Sequence, residues 1–98
     1  MARKLVSKGG RTSRVTFELP PDIGAEQVQL CGEFNGWSTT ATPLAPRKDG
    51  RFSVTLTLPT GSAYRYRFLV DGQRWENDWS ADEYVQNGFG GDDSVLRL

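Results

Sequence analysis

Apolar and polar residues alternate along much of this chain, in short runs separated by turn-forming residues. Polar residues separate Val15, Phe17 and Leu19, and the same period of two recurs between Phe52 and Leu58. A period of two places the apolar side chains on one face of a β-strand, where they pack against a core. Residues 14–19 and 51–58 are therefore predicted strands. Further strands are predicted at 27–33, 63–70, 73–76, 84–86 and 94–98, with a short edge strand near Leu44.

Turn signals between these runs recur about every ten residues, as in all-β sandwiches. They include Asn35-Gly36 and Asp71-Gly72, two dipeptides that tolerate positive φ and favour tight turns. No stretch has the period of an amphipathic helix, so we predict an antiparallel β-sandwich with no helix longer than one turn. Its core is expected to contain Val15, Phe17, Val28, Leu30, Phe52, Val54, Leu56, Tyr66 and Phe68.

Composition and charge indicate one small domain with a distinct N-terminal segment. The chain has 98 residues, enough for a single core, and its 11 glycines and 5 prolines are typical of a turn-rich β protein. Its formal net charge is zero, but the first 14 residues carry five basic residues and no acid. We expect residues 1–13 to form a disordered basic tail and residues 14–98 to form the domain. Such a tail is usually solvated, and the alternative is contact with nucleic acid or an acidic partner.

The absence of histidine and the single cysteine exclude several kinds of site. Without histidine, His-based catalytic triads and the common zinc sites are impossible. Cys31 cannot form an intrachain disulfide, which favours a reducing compartment, and we expect it to be a packing residue. No secretory signal or membrane-spanning segment is predicted, so a cytoplasmic location without a membrane partner is expected. We expect no cofactor and no metal.

The carboxylates are numerous, but each site that they suggest has a simpler explanation. A glycosidase pair needs a cleft that encloses a sugar ring, which a domain of this size seldom has, so we expect no enzymatic activity. Nucleic acid fits poorly, because residues 71–98 carry seven acids against two arginines and would repel a phosphate backbone. A calcium site would use acids without the spacing of a known loop, and these acids are ordinarily solvated: Asp78, Asp82, Asp92 and Asp93.

Two tryptophans stand close to the predicted turns. Trp37 follows Asn35-Gly36 directly, and Trp75 comes soon after Asp71-Gly72. A single tryptophan in such a place is more often a half-buried packing residue, whereas two of them indicate a flat aromatic binding surface. The C–H face of a glucose ring stacks on an indole, and covering about 100 Å² of indole contributes roughly 2 kcal/mol. Carbohydrate is therefore the ligand class that these residues favour.

Three motifs in order resemble a known family. Gly-Glu-Phe-Asn-Gly-Trp-Ser at Gly32–Ser38, the run Tyr64–Trp75 and Phe-Gly-Gly-Asp-Asp-Ser-Val at Phe89–Val95 are similar to the glycogen-binding domain of the AMP-activated protein kinase β subunit. They equally resemble the N-terminal early-set domains of isoamylase and branching enzymes, grouped as carbohydrate-binding module family 48. The resemblance covers residues 14–98. It implies an immunoglobulin-like, early-set β-sandwich of about seven strands that binds α-1,4-glucan (glycogen, starch or maltooligosaccharide) without catalysis.

The resemblance also implies a set of carbohydrate-binding residues. Trp37 and Trp75 correspond to the two tryptophans that stack on a curved α-1,4-glucan. Arg67 stands where the family has a ligand-contacting lysine, and it remains a donor to hydroxyls. Phe89 replaces a loop leucine that enters the turn of the glucan, and Asp93 replaces an asparagine that binds hydroxyls.

The sequence departs from the family in ways that leave alternatives open. One extra residue precedes Trp75, and Trp79 stands where the family tends to have proline, so that it either widens the binding platform or packs against the domain. The alternative to glucan binding is an early-set interaction or spacer domain that has lost sugar binding and docks onto a glycan-metabolising enzyme or another protein. Indoles of Trp37 and Trp75 that face one groove would favour glucan binding. We expect a monomer, with a separate glycan-metabolising enzyme as the candidate protein partner.

Overall fold

The computed structural model describes residues 2–6, 10–88 and 90–98, and most of its regular secondary structure is strand. Two 3-10 turns of three residues each, Pro21–Ile23 and Glu33–Asn35, are the helical elements of the described residues. This confirms the prediction of an all-β fold with no helix longer than one turn. The strands are β1 (Ala2–Val6), β2 (Thr12–Leu19), β3 (Val28–Gly32), β4 (Ala45–Pro46), β5 (Phe52–Pro59), β6 (Ala63–Val70), β7 (Arg74–Glu76), β8 (Glu83–Gln86) and β9 (Asp92–Arg97).

The strands form two antiparallel sheets. The first has the order β1-β2-β5-β4, and the second has the order β3-β6-β9-β8, with β7 also paired to β6. Each sheet has one apolar face, and stacking these faces removes both from water. The predicted antiparallel β-sandwich is therefore confirmed, with nine strands in the described residues where the sequence predicted about seven.

Strand β1 differs from the sequence prediction of a tail through residue 13. Its residues pair with β2 from Ala2↔Phe17 to Val6↔Ser13, and β2 itself begins at Thr12. The run Ala-Arg-Lys-Leu-Val lacks strict alternation of apolar and polar residues, so it carried no strand signal. Its pairing depends on the backbone groups that the edge of β2 offers, which the local sequence does not show.

The core lies between the two sheets and is formed mainly by the apolar residues of the alternating pattern. Phe17, Tyr66 and Phe68 are fully buried, and Tyr66 meets both phenylalanine rings edge-on at 5.2 and 6.0 Å. All the predicted core side chains are buried except Val54 and Leu56, which are half-buried and pack against the core. The physical reason is that β4 covers β5 only at its first two residues, so the rest of that edge is open.

The other face of β6 positions the candidate site. Arg67 and Leu69 point away from the core, because they alternate with Tyr66 and Phe68. The register sets Cys31 of β3 opposite Arg67 and Trp75 of β7 opposite Leu69, and cross-strand partners share a face. Cys31 is a free, buried thiol, as expected of a packing residue. Burial raises its pKa, although nearby Arg67 lowers it in part.

A buried hydrogen-bond network fastens the segment after β7 to the core. The Tyr66 hydroxyl donates to Asp78 Oδ2 at 2.7 Å, and the Asp78 N–H donates to Ser94 Oγ at 2.9 Å. Ser94 in turn donates to Asn77 Oδ1 at 2.8 Å. Burial, and then the carboxylate of Asp78, raise the pKa of Tyr66 far above its ordinary value. The network therefore fixes the chain on the C-terminal side of Trp75.

Candidate functional site

A groove on the outer face of the second sheet brings together most of the predicted binding residues. Of these, Trp37, Arg67 and Asp93 line the groove, and Trp75 adjoins it through its contact with Arg67. They come from a turn, from β6, from β9 and from β7, so the fold and not the sequence order makes them neighbours. The groove is lined by Glu33, Trp37, Arg65, Arg67, Asn87 and Asp93.

The turn that carries Trp37 is built by the side chain of Asn35. Its amide nitrogen donates to the Leu30 carbonyl at 2.8 Å and to the Thr42 hydroxyl at 3.0 Å, while its Oδ1 accepts from the Gly32 N–H at 3.1 Å. Trp37 then lies at φ 60°, a left-handed conformation that is uncommon for a bulky residue. The three hydrogen bonds hold the backbone in this conformation, and the half-buried indole lines the groove.

Gly32 allows the turn to lie close to β6. A Cβ at this position would stand 2.7 Å from the Arg65 carbonyl oxygen and 2.9 Å from Tyr66 Cβ. Such distances are far inside van der Waals contact, so no larger residue fits without a shift of the backbone. Close packing against β6 therefore explains why glycine stands at position 32, the first residue of the motif Gly32–Ser38.

The hairpin that carries Trp75 is held by Asp71. Asp71 and Gly72 lie at φ 54° and 69°, as the Asp-Gly dipeptide predicted. The Asp71 carboxylate accepts the N–H groups of Gln27 and Glu26 at 2.9 and 2.8 Å, and these hydrogen bonds lower its pKa. The side chain thus ties the hairpin to the loop before β3, and Trp75 follows with 42% of its surface exposed.

Arg67 lies between the two indoles. Its guanidinium carbon is 4.8 Å from the centroid of the Trp75 ring and 5.9 Å from that of Trp37, both within the range of cation–π contact. Only 24% of the Arg67 side chain is exposed. One cation thus joins residues 38 positions apart in the chain (37 and 75) into a single surface.

Asp93 lies beneath Arg67, and 4% of its surface is exposed. Its Oδ1 is 3.1 Å from Arg67 Nε and accepts a 3.3 Å hydrogen bond from the Asn87 amide. The Nε–H does not point along the line to the oxygen, so the contact with Arg67 is an ion pair and not an aligned hydrogen bond. The sequence predicted that Asp93 binds hydroxyls directly, whereas the structure gives it an arginine partner inside the domain.

Phe89 and Trp79 are two further aromatic residues that the sequence singled out. Phe89, the predicted loop contact, lies outside the described residues. Trp79 is 67% exposed and lines a different depression, together with Glu18, Leu19, Pro20 and Ser80. None of those residues lines the groove.

Glu33 is a groove residue that the sequence did not predict. Its carboxylate accepts the Arg65 N–H at 2.7 Å, across the pair β3 and β6. The alternation of the predicted strand at 27–33 placed Glu33 on the same face as Cys31, which is the only local signal for its position. The register with β6 was also needed, because it sets that face beside Arg67.

The acids do not form a metal site in the part of the chain that the structure describes. No group of three or more His, Cys, Asp or Glu residues is arranged there to hold an ion. Asp78 instead accepts hydrogen bonds in the core, and Asp93 is paired with Arg67. Likewise, no helix of the described residues is long and apolar enough to cross a membrane.

Sequence comparison relates most of the chain to one family. A family profile described as the glycogen recognition site of AMP-activated protein kinase matches residues 13–91. Subunit beta-1 of 5'-AMP-activated protein kinase from Sus scrofa is 37% identical over 75 residues, which are 76% of this chain and 57% of that protein. Subunit beta-2 from Homo sapiens is 40% identical over 55 residues, 56% of this chain and 19% of that protein.

A plant protein is similar to this chain over a stretch of about the same length as that matched by the human subunit. Protein PTST homolog 2, chloroplastic, from Arabidopsis thaliana is 43% identical over 54 residues, which are 55% of this chain and 10% of that protein. The chain therefore spans little more than half of one curated relative, and a tenth to a fifth of the others.

Proposed function

This chain belongs to the family of carbohydrate-binding domains that form the glycogen recognition site of AMP-activated protein kinase, and we propose that its groove binds α-1,4-glucan without catalysing a reaction. The observation that supports this proposal is the placement of Arg67 between Trp37 and Trp75. Glycogen, starch and maltooligosaccharides share this glucan chain and are the proposed ligands.

The physical argument rests on stacking and on hydroxyl contacts. An indole face covered by a pyranose ring contributes roughly 2 kcal/mol, and the cost of association leaves two such contacts with weak to moderate affinity. Trp37 is held by a turn and Trp75 by strand β7, so they offer two platforms that follow a curved chain better than a flat ribbon. Arg67 adds hydrogen-bond donors between the platforms, which suits the hydroxyl edge of a glucose unit. Phe89 is proposed as a further contact from the neighbouring loop.

The groove supports binding without hydrolysis. A glycosidase needs two carboxyl groups with free access to the scissile bond, one of them protonated. Here the Glu33 carboxylate accepts a backbone N–H, and the Asp93 carboxylate is buried against Arg67. Glu33 is exposed, but Asp93 is buried, so the groove lining does not present the accessible pair of carboxyl groups that hydrolysis needs. The module is therefore proposed to hold the polysaccharide and to leave it unchanged.

The proposed partner is a separate glycan-metabolising enzyme. A module that binds glucan raises the local concentration of any enzyme associated with it, which gives a non-catalytic domain a function. One copy of this chain supplies both indoles and the arginine, which supports a monomer as the binding unit. A cytoplasmic location is proposed as well, supported by the single cysteine, which is buried and free.

The test is a titration of the full chain with maltoheptaose and with β-cyclodextrin, followed by intrinsic tryptophan fluorescence and by calorimetry. We expect a saturable change in emission, because a sugar on an indole displaces water from it. Cellohexaose is the matched control, since its β-1,4 ribbon is flat, and it should bind more weakly. A folded protein that responds to no α-glucan would overturn the proposal and favour a spacer domain.

A further inference from the structure

We propose that Asp93 is a positioning residue, which acts on the bound glucan only through Arg67. This inference rests on the proposed function, since it concerns how the same groove is assembled. It departs from a direct contact between the Asp93 carboxylate and sugar hydroxyls.

The first observation is that Asp93 has almost no surface to offer a ligand. With 4% of the residue exposed, a hydroxyl has little access to its carboxylate. Its Oδ1 is already shared between the Arg67 guanidinium, at 3.1 Å, and the Asn87 amide, at 3.3 Å. The neighbouring side chains therefore already occupy this carboxylate oxygen.

The second observation is which nitrogen of the Arg67 guanidinium Asp93 contacts. The ion pair is made at Nε, the innermost nitrogen of the guanidinium, so it does not require the two terminal nitrogens. An arginine side chain has many rotamers, and an anion at Nε restricts them while leaving terminal donors for other contacts. Since both partners are largely removed from solvent, the attraction is screened less than in an exposed pair.

The third observation is what the fixed guanidinium contacts. Arg67 lies against the rings of Trp75 and Trp37, at 4.8 and 5.9 Å. The position of Arg67 thus decides whether one guanidinium contacts both indoles. Asp93 fixes Arg67, and Arg67 in turn contacts both stacking surfaces, which gives a buried carboxylate an effect on a ligand that it does not touch.

The chain provides a control for the effect of charge. Glu83 and Arg97 form another ion pair of β8 and β9, but it is exposed and its residues do not line the groove. Replacing Glu83 by Gln removes the same charge from the same sheet. If the loss of any negative charge from this sheet weakened glucan binding, Glu83→Gln would weaken it too.

The experiment is a double-mutant cycle on the affinity for maltoheptaose, with Asp93→Asn, Arg67→Ala, the double variant and Glu83→Gln. Asp93→Asn should weaken binding by roughly tenfold when Arg67 is present, as for coupled residues in contact. In the Arg67→Ala background the same change should alter affinity by less than about twofold. Glu83→Gln should bind like the wild type.

A second readout needs no ligand. Loss of the cation beside the indoles should shift the emission and the acrylamide quenching of the free protein. Asp93→Asn should shift both in the same direction as Arg67→Ala, and the double variant should show no additional shift. Circular dichroism confirms folding, and if Asp93→Asn does not fold, Asp93→Ser with Arg67→Gln completes the cycle.

The outcomes separate this inference from the function on which it rests. If Asp93→Asn weakens binding equally with and without Arg67, Asp93 contacts the glucan itself and the inference is wrong, while the proposed function stands. If Asp93→Asn changes neither affinity nor emission, the inference is also wrong. If the wild type binds no α-glucan, both proposals are overturned.

Discussion

The guanidinium carbon of Arg67 lies 4.8 Å from the centroid of the Trp75 ring. The two residues come from adjacent strands, β6 and β7, and both are on the face of the sheet turned away from the core. The indole therefore contacts a cation on the outer face of the sheet, outside the core between the two sheets. Substitutions at either position should change the groove while the β-sandwich stays folded.

The first prediction concerns the indole pair. Trp37→Ala and Trp75→Ala should each weaken binding of maltoheptaose by about 1–3 kcal/mol, because each removes one stacking surface. The measurement is a calorimetric titration of each variant. Trp79→Ala is the matched control: it removes an exposed indole that does not line the groove, and its affinity should equal that of the wild type.

The indole prediction has a defined contrary result. If Trp79→Ala weakens binding as much as Trp75→Ala, the glucan also covers Trp79, and the binding surface extends to the depression beside Leu19 and Pro20. Each variant must first show the far-ultraviolet spectrum of the wild type.

The second prediction concerns the turn below Trp37. Asn35→Ala removes three hydrogen bonds and should lower the free energy of unfolding by about 1–3 kcal/mol. It should also weaken maltoheptaose binding, since Trp37 then loses its fixed backbone conformation. Urea denaturation measures the first effect and titration the second. The control is Thr55→Ala, which removes an exposed hydrogen bond to Thr16 and should leave affinity unchanged.

The third prediction concerns the buried network. Tyr66→Phe deletes the hydroxyl that donates to Asp78 at 2.7 Å, and both residues are fully buried. The carboxylate oxygen then lacks this donor, so the free energy of unfolding should fall by about 1–3 kcal/mol. Tyr64→Phe, which deletes an exposed hydrogen bond to the Pro59 carbonyl, should cost less. Equal losses for the two variants, measured by urea denaturation, would show that the buried hydrogen bond contributes no more stability than the exposed one.

The fourth prediction is a dependence on pH. The backbone N–H groups of Gln27 and Glu26 lower the pKa of Asp71, so the folded state favours its ionised form. A carboxyl group with a lowered folded pKa stabilises the protein above its unfolded pKa of about 3.9, and this stability is lost as pH falls through the folded pKa. Asparagine at position 71 tolerates the left-handed backbone conformation, and its side-chain oxygen can still accept the two N–H groups. The substitution Asp71→Asn therefore removes only the charge. Its melting temperature should lie below that of the wild type at pH 7, and the difference should vanish in acid.

A constant difference between wild type and Asp71→Asn from pH 7 to pH 2 would contradict this prediction. It would mean that the substitution acts through the shape of the turn and not through the charge of the carboxylate.

The sequence alone determined the fold class and most of the core. Strict alternation assigns each side chain of a strand to one of two faces, so Phe17, Tyr66 and Phe68 were correctly placed inside. Asn-Gly and Asp-Gly dipeptides tolerate the positive φ of tight turns, so the turns at Gly36 and Gly72 were also correctly placed. These features depend on neighbours in the chain, and a single sequence contains them.

Only the tertiary structure decided how the groove is assembled. Alternation gives the face of a residue but neither the neighbouring strand nor the register, and these bring Trp37, Trp75 and Asp93 to Arg67. The burial of Asp93 follows from packing between strands and loops that are distant in sequence, as does the pairing of β1 with β2. Long-range contacts of this kind have no local pattern, so they appear only once the two sheets are folded together.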